Sequence, residues 1–164
     1  MKRAPIGPIS SDTMRPKDLI PTFTDWLRDL DDGVYSPLIK RADAWMALDA
    51  DDWAEMASEM TGKELQSKLE EDGFILEELF EALDSFSPPH CYFGASEGDG
   101  ACYGWWVSQD SLKESCRDGE VLKVSDLSEV PPDYTGEVLH VTDHGNETLY
   151  TAQNGKLEEV WGIV

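Results

Sequence analysis

The sequence predicts an α+β protein, an N-terminal helical layer packed on a C-terminal antiparallel β-sheet folded as a meander. Two observations predict it. Before Pro88-Pro89 apolar residues recur every three or four positions, and after it the period falls to two. The second half is also punctuated by turn residues, Asn-Gly among them, at short intervals. With 164 residues, 40% of them hydrophobic, the chain can bury a core as one domain over 15–164, helical over 15–87 and sheet over 88–164. Residues 1–14, with Pro5, Pro8 and no apolar run, are expected to be flexible and to carry neither signal peptide nor anchor.

Arg15-Pro16 opens the first helix, where Leu19, Ile20, Phe23, Trp26, Leu27 and Leu30 keep one helical face. Asp31-Asp32-Gly33 ends it. Ser36-Pro37 has the form of an N-cap followed by proline at the first helical position, and a second helix follows with Leu38, Ile39, Trp45, Met46 and Leu48. Residues 51–60 predict a short third helix. Thr61 and Glu64 have capping-box spacing and start a helix that Gly73 interrupts, so that 74–86 forms a last one.

In the second half, 91–93 and 103–107 predict strands around a glycine-rich connection, 94–100. Ser108 caps a short helix ended by Asp118-Gly119, and 121–124 is a strand. The segments 138–141, 147–150 and 157–161 alternate and are separated by His144-Gly145-Asn146 and Asn154-Gly155, which predicts a three-stranded meander. The expected core is Leu19, Phe23, Leu27, Leu79, Phe80, Leu83, Leu139, Val141, Leu149, Val160 and at least one of Trp105 and Trp106.

Charge carries the functional information. The chain has 34 acidic residues against 13 basic ones, a net charge of −21. Like charge on this scale repels itself and destabilises the compact state, so the excess points to a surface that meets positive charge. Residues 49–84 hold 13 carboxylates and only Lys63 and Lys68 against them. Along a helix this is roughly one carboxylate per 4 Å, against about one phosphate per 1.7 Å of B-DNA axis. Such a surface can occupy a groove built for nucleic acid. The carboxylates on the polar side of the pattern are Asp51, Asp52, Glu55, Glu59, Glu70, Glu71, Glu77, Glu78 and Glu81. Glu97 and Asp99, with the neighbouring Trp105 and Trp106, add an acidic loop and aromatic anchors to the candidate partner-binding set.

No catalytic signature is present, and the chain is read as a non-enzyme without cofactor. His140 and His144 have the spacing of one half of a zinc site, yet the three cysteines have no close partner to complete it, so no metal is expected. Cys91, His140 and Asp143 supply the residue types of a nucleophile, base and orienter, without a spacing that selects them. The loop Glu97-Gly98-Asp99-Gly100 lacks the alternating oxygen ligands of an EF-hand. Only Lys113, Arg117, Lys123 and Lys156 are basic after Pro88, too few to hold phosphates, so direct nucleic-acid binding is excluded. No run of about 18 apolar residues exists to span a membrane. An odd cysteine count without a framework spacing fits a reducing cytoplasm.

Three stretches resemble segments of uncharacterised acidic proteins of bacteriophages and plasmids. They are Met14-Arg15-Pro16-Lys17-Asp18-Leu19-Ile20-Pro21, the run 92–106 from Tyr92-Phe93-Gly94 to Gly104-Trp105-Trp106, and 138–146, Val-Leu-His-Val-Thr-Asp-His-Gly-Asn. The resemblance implies a mobile-element origin and a place in the cytoplasm of a bacterial host. It implies no known activity, but among small acidic proteins of such elements anti-CRISPR and antirestriction inhibitors are the best-understood class, and many of those look like DNA to their targets. The function expected is therefore inhibition of a basic, DNA-handling host defence complex by blocking its nucleic-acid site. The alternative is an immunity or antitoxin protein that plugs a basic toxin such as a nuclease.

Overall fold

A computed structural model of the chain describes residues 2–47 and 61–163, with the backbone alone at 64–69 and 72. It is an α+β protein, and the expected third helix at 51–60 lies outside the described residues. The chain divides into two compact units, Met1–Ser87 with Phe93–Trp106, and Pro88–Tyr92 with Val107–Val164.

The first unit is built on helices α1 (Pro16–Leu30), α2 (Ser36–Met46) and α3 (Gly62–Asp84). Proline near the N-terminus of α1 and α2 presets φ where the N–H has no helical partner. In the first turn of α1, Asp18 accepts from Thr13 Oγ1 and Arg15 Nε, both at 2.7 Å. The Thr13 hydrogen bond, helped by Arg15, holds its carboxyl below the usual range. Ser36 is not the N-cap expected of it. Tyr35 occupies that position, Ser36 Oγ donates back to Gly33 O, and the Asp31 carboxylate accepts from the N–H groups of Val34 and Tyr35. The Asp31 carboxylate thus orders the turn that leads into α2, and no side chain caps the helix itself.

Helix α3 starts directly after Thr61 but is one helix, running through Gly73. A mid-helix glycine costs about 1 kcal/mol. Burial of Ile75, Leu79, Ala82 and Leu83 along one face outweighs that.

These helices have their own sheet, in the order β1 (Gly7–Ser10), β3 (Asp99–Val107), β2 (Cys91–Ser96). The expectation of a flexible N-terminus is corrected here. Gly7 and Pro8 pair antiparallel with Trp105 and Gly104, and Ala4 is buried, its N–H bonded to Phe86 O at 3.1 Å. Gly104 permits this docking, because a Cβ there would stand 2.1 Å from Gly7 O. The expected loop at 94–100 is instead mostly strand, closed by the two-residue turn Glu97-Gly98. Phe23 centres the core, edge-on to Phe80, Phe93 and Tyr103 with ring centroids 5.1–5.9 Å apart.

The second unit holds α4 (Gln109–Asp118) and the sheet β4–β5–β6–β7, comprising Val121–Val124, Gly136–Val141, Glu147–Gln153 and Lys156–Ile163. Ser108 caps α4 by accepting from Ser111 N, and Gly119 ends it at φ 79°. The expected meander is present as β5–β6–β7, with Asn154-Gly155 turning Gln153 onto Lys156 at positive φ. The sheet is nevertheless mixed, because β4 pairs parallel to β5. The crossover between them contains a 3-10 turn, Leu127–Glu129, boxed by Asp126 and Glu129. Asp126 accepts from Ser128 N, which holds its carboxyl below the usual range. One face buries Val124, Val138 and Ala152, and the alternate residues Leu139 and Leu149 are also buried. Each unit thus contains a sheet of its own, one of three strands and one of four. Of the expected core residues, Phe80, Val141 and Val160 are only half-buried.

Candidate partner-binding surface

Helix α3 sorts its residues by the 100° step of the α-helix. With Ile75, Leu79, Ala82 and Leu83 turned inward, Glu70, Glu71, Glu77, Glu78 and Glu81 are exposed. Residues three or four apart on a helix have Cβ atoms about 5–6 Å from each other, so Glu77, Glu78 and Glu81 form a close group. Within the 23 residues of α3 there are eight carboxylates against Lys63 and Lys68. Over a helix of roughly 34 Å this is about one carboxylate per 4 Å. Arg41 of α2 donates from Nη2 to Glu78 Oε1 at 2.6 Å. Glu77 and Glu81 form no ion pair with another described residue.

The Arg41–Glu78 pair joins α2 to α3. On one side of it a hollow of about 510 Å³ is lined by Val34, Tyr35, Leu38, Glu81 and Ala82. On the other, about 390 Å³ is lined by Glu70, Glu71 and Phe74. Arg41 and Glu78 line both hollows, so the ion pair stands between the two. Leu38 and Ala82, at the first hollow, are buried, while Val34 beside them is 79% exposed and Phe74, at the second, 61%. Tyr35 is fixed at one end by its hydroxyl, which donates to Ser85 Oγ at 3.0 Å.

The remaining expected residues fall elsewhere. Asp51, Asp52, Glu55 and Glu59 lie outside the described residues. Glu97 and Asp99 are exposed at the β2–β3 turn, where Asp99 accepts from Ala101 N, and they line neither hollow. Trp105 is not a partner anchor. It is fully buried, its indole N–H donates to Leu83 O at 3.2 Å, and its ring packs on Phe93 and Trp26. Strand alternation puts Trp106 on the opposite face, half-buried, donating to Gly94 O at 2.9 Å.

His90 and His140 are engaged separately. His90 Nε2 lies 2.8 Å from Glu137 Oε2, and His140 Nε2 lies 3.1 Å from Ser125 O. Burial pushes the Cys91 thiol up to about 12, which leaves little of the thiolate that nucleophilic chemistry requires. Among the described residues no group of three His, Cys, Asp or Glu side chains is placed to hold a metal ion. No helix among them is long and apolar enough to cross a membrane.

Sequence reasoning missed Val34, Arg41 and Phe74, which line the hollows. One signal was available for Phe74, which stands a single position before the buried Ile75 and so about 100° off the apolar stripe. Val34 and Arg41 gave none, because their role depends on how α2 packs against α3.

No family model matches the sequence, and no curated protein or solved structure is significantly similar to it.

Proposed function

We propose that this protein is a non-enzymatic inhibitor, borne by a phage or other mobile element, that binds a basic DNA-handling complex of its bacterial host and blocks the nucleic-acid site. One observation carries the reading: the densest acidic stretch of the chain supplies a helix whose outward carboxylates have few cations opposite them. An exposed row of this kind attracts a basic groove at long range and raises the rate of encounter with it. It also repels nucleic acid, which leaves protein as the partner. The inhibitor would act in the cytoplasm, where such complexes work.

The test is capture of the tagged protein's partner from a bacterial lysate, followed by competition with duplex DNA. The expected result is a basic nucleic-acid-binding protein that DNA releases from the column in proportion to its concentration. A captured partner that DNA leaves in place, or an acidic one, contradicts the reading.

A further inference from the structure

We infer that the second unit binds a small organic monoanion with a short apolar body, of which an aliphatic carboxylate is the simplest form, between α4 and the sheet. A hollow of about 190 Å³ lies there, lined wholly by residues of that unit. At roughly 30 Å³ per molecule of liquid water it has the volume of about six waters, which suits a small molecule and not a segment of another chain. Helix α4 contributes Gln109, Leu112, Lys113 and Cys116, whose spacing of i, i+3, i+4 and i+7 keeps them on one helical face. The sheet contributes Lys123 of β4, Leu139 of β5 and Glu147 of β6.

The two lysines carry the inference. Residues 107–164 hold twelve acids and four bases, so a cation there finds a carboxylate easily, as Arg117 does with Glu114 and Asp118. Lys113 and Lys123 form no ion pair with a described residue and line the same hollow, one from the helix and one from the sheet. Strand register sets Lys123 beside buried Leu139, which is itself opposite buried Leu149, so the lysine stands in an apolar row. A lysine on an edge strand discourages pairing with other chains, and that alone would account for Lys123. It does not account for Lys113, which belongs to no strand.

The lining selects both the charge and the body of its occupant. Leu112 and Leu139 are buried and supply apolar surface. Glu147 is held by Gln109, whose Nε2 donates to its Oε2 at 2.8 Å. Burial pushes the Cys116 thiol up, so it adds no negative charge. Two ammonium groups against one carboxylate leave a single positive charge, which matches a monoanion and disfavours a dianion. An uncharged body of the same size gains nothing from the lysines, and a cation is repelled by both.

Hexanoate is the probe, titrated into the intact isotope-labelled protein and followed by NMR. Hexan-1-ol and hexylammonium keep the body and change the charge, and succinate supplies a dianion. Hexanoate should perturb Leu112, Cys116, Lys123 and Leu139, and should bind at least about tenfold tighter than any of the other three. Lys113→Gln and Lys123→Gln alter exposed side chains, should leave circular dichroism unchanged, and together should abolish the preference for the acid over the alcohol. Lys113→Gln alone leaves the edge strand intact and should still weaken hexanoate binding. Arg117→Gln removes a cation that does not line the hollow and should change nothing. No binding of hexanoate, equal affinity for the alcohol, shifts centred elsewhere, a preference that survives the double substitution, or an equal loss from Arg117→Gln overturns the site. The partner of α3 is decided separately, by the DNA competition.

Discussion

The first two helices and the third share one hydrophobic core and handle charge in opposite ways. Residues 1–47 carry seven acidic and seven basic side chains, and 49–84 carry thirteen and two. In α1 and α2 three of the four acids are matched locally, Asp18 by Arg15, and Asp25 and Asp43 by Arg28 at 2.6 and 2.7 Å. On α3 Arg41 reaches across to Glu78, and Glu77 and Glu81 have no ion pair with a described residue. Residues 107–164 lie between, with twelve acids and four bases. An excess serving only solubility would be spread evenly and mixed with lysine. Eight carboxylates against two lysines on α3, beside a neutral region of the same core, are the observation on which the proposed basic-partner surface rests.

The largest effect is expected at the inward face of α3. Leu79 is fully buried, and Leu79→Ala should cost about 2–5 kcal/mol in urea denaturation, the range for emptying a leucine site in a packed core. A loss under about 1 kcal/mol would mean that α3 is not held by its apolar face, and that the outward direction of the glutamates is not fixed. A smaller and sharper contrast lies in the charges. Asp43→Asn removes a partner of Arg28 and should lower stability by up to about 1 kcal/mol. The double change Glu77→Gln and Glu81→Gln relieves like-charge repulsion at i,i+4 and should leave stability unchanged or raise it by a few tenths of a kcal/mol. Equal losses from both would show that the α3 carboxylates are structural, like those of α1 and α2.

What was legible in the sequence was whatever local chemistry decides. Ser108 and Gly119 bracket α4, and Asn154-Gly155 turns β6 into β7, because a cap or a tight turn is settled within a few residues. The strand at Gly7–Ser10 was not legible, since it depends on a partner almost a hundred residues away and on the missing Cβ of Gly104. The parallel pairing of β4 with β5 was hidden for the same reason. Gly73 misled because its helical penalty is local, whereas the burial that outweighs it is tertiary. Alternation showed that Trp105 and Trp106 face opposite ways but not which way is inward, and the inward one is Trp105. The acidic face of α3 was predicted residue by residue from periodicity. The hollows beside it, with Val34 and Phe74, required knowledge of which helix packs against which.

The outward carboxylates of α3 are proposed to meet positive charge. The most direct test is the association rate of the captured partner with wild-type protein, and with the variant Glu70→Lys, Glu71→Lys, Glu77→Lys, Glu81→Lys, measured from low to moderate salt. Wild type should associate fast at low salt and slow steeply as salt rises, because steering is screened beyond a Debye length of about 10 Å at 0.1 M. The variant should remain folded by circular dichroism, since all four side chains are exposed, and should associate at least about tenfold more slowly at low salt with little further salt dependence. Equal rates for the two proteins, each independent of salt, would contradict the account and leave α3 as solvated surface.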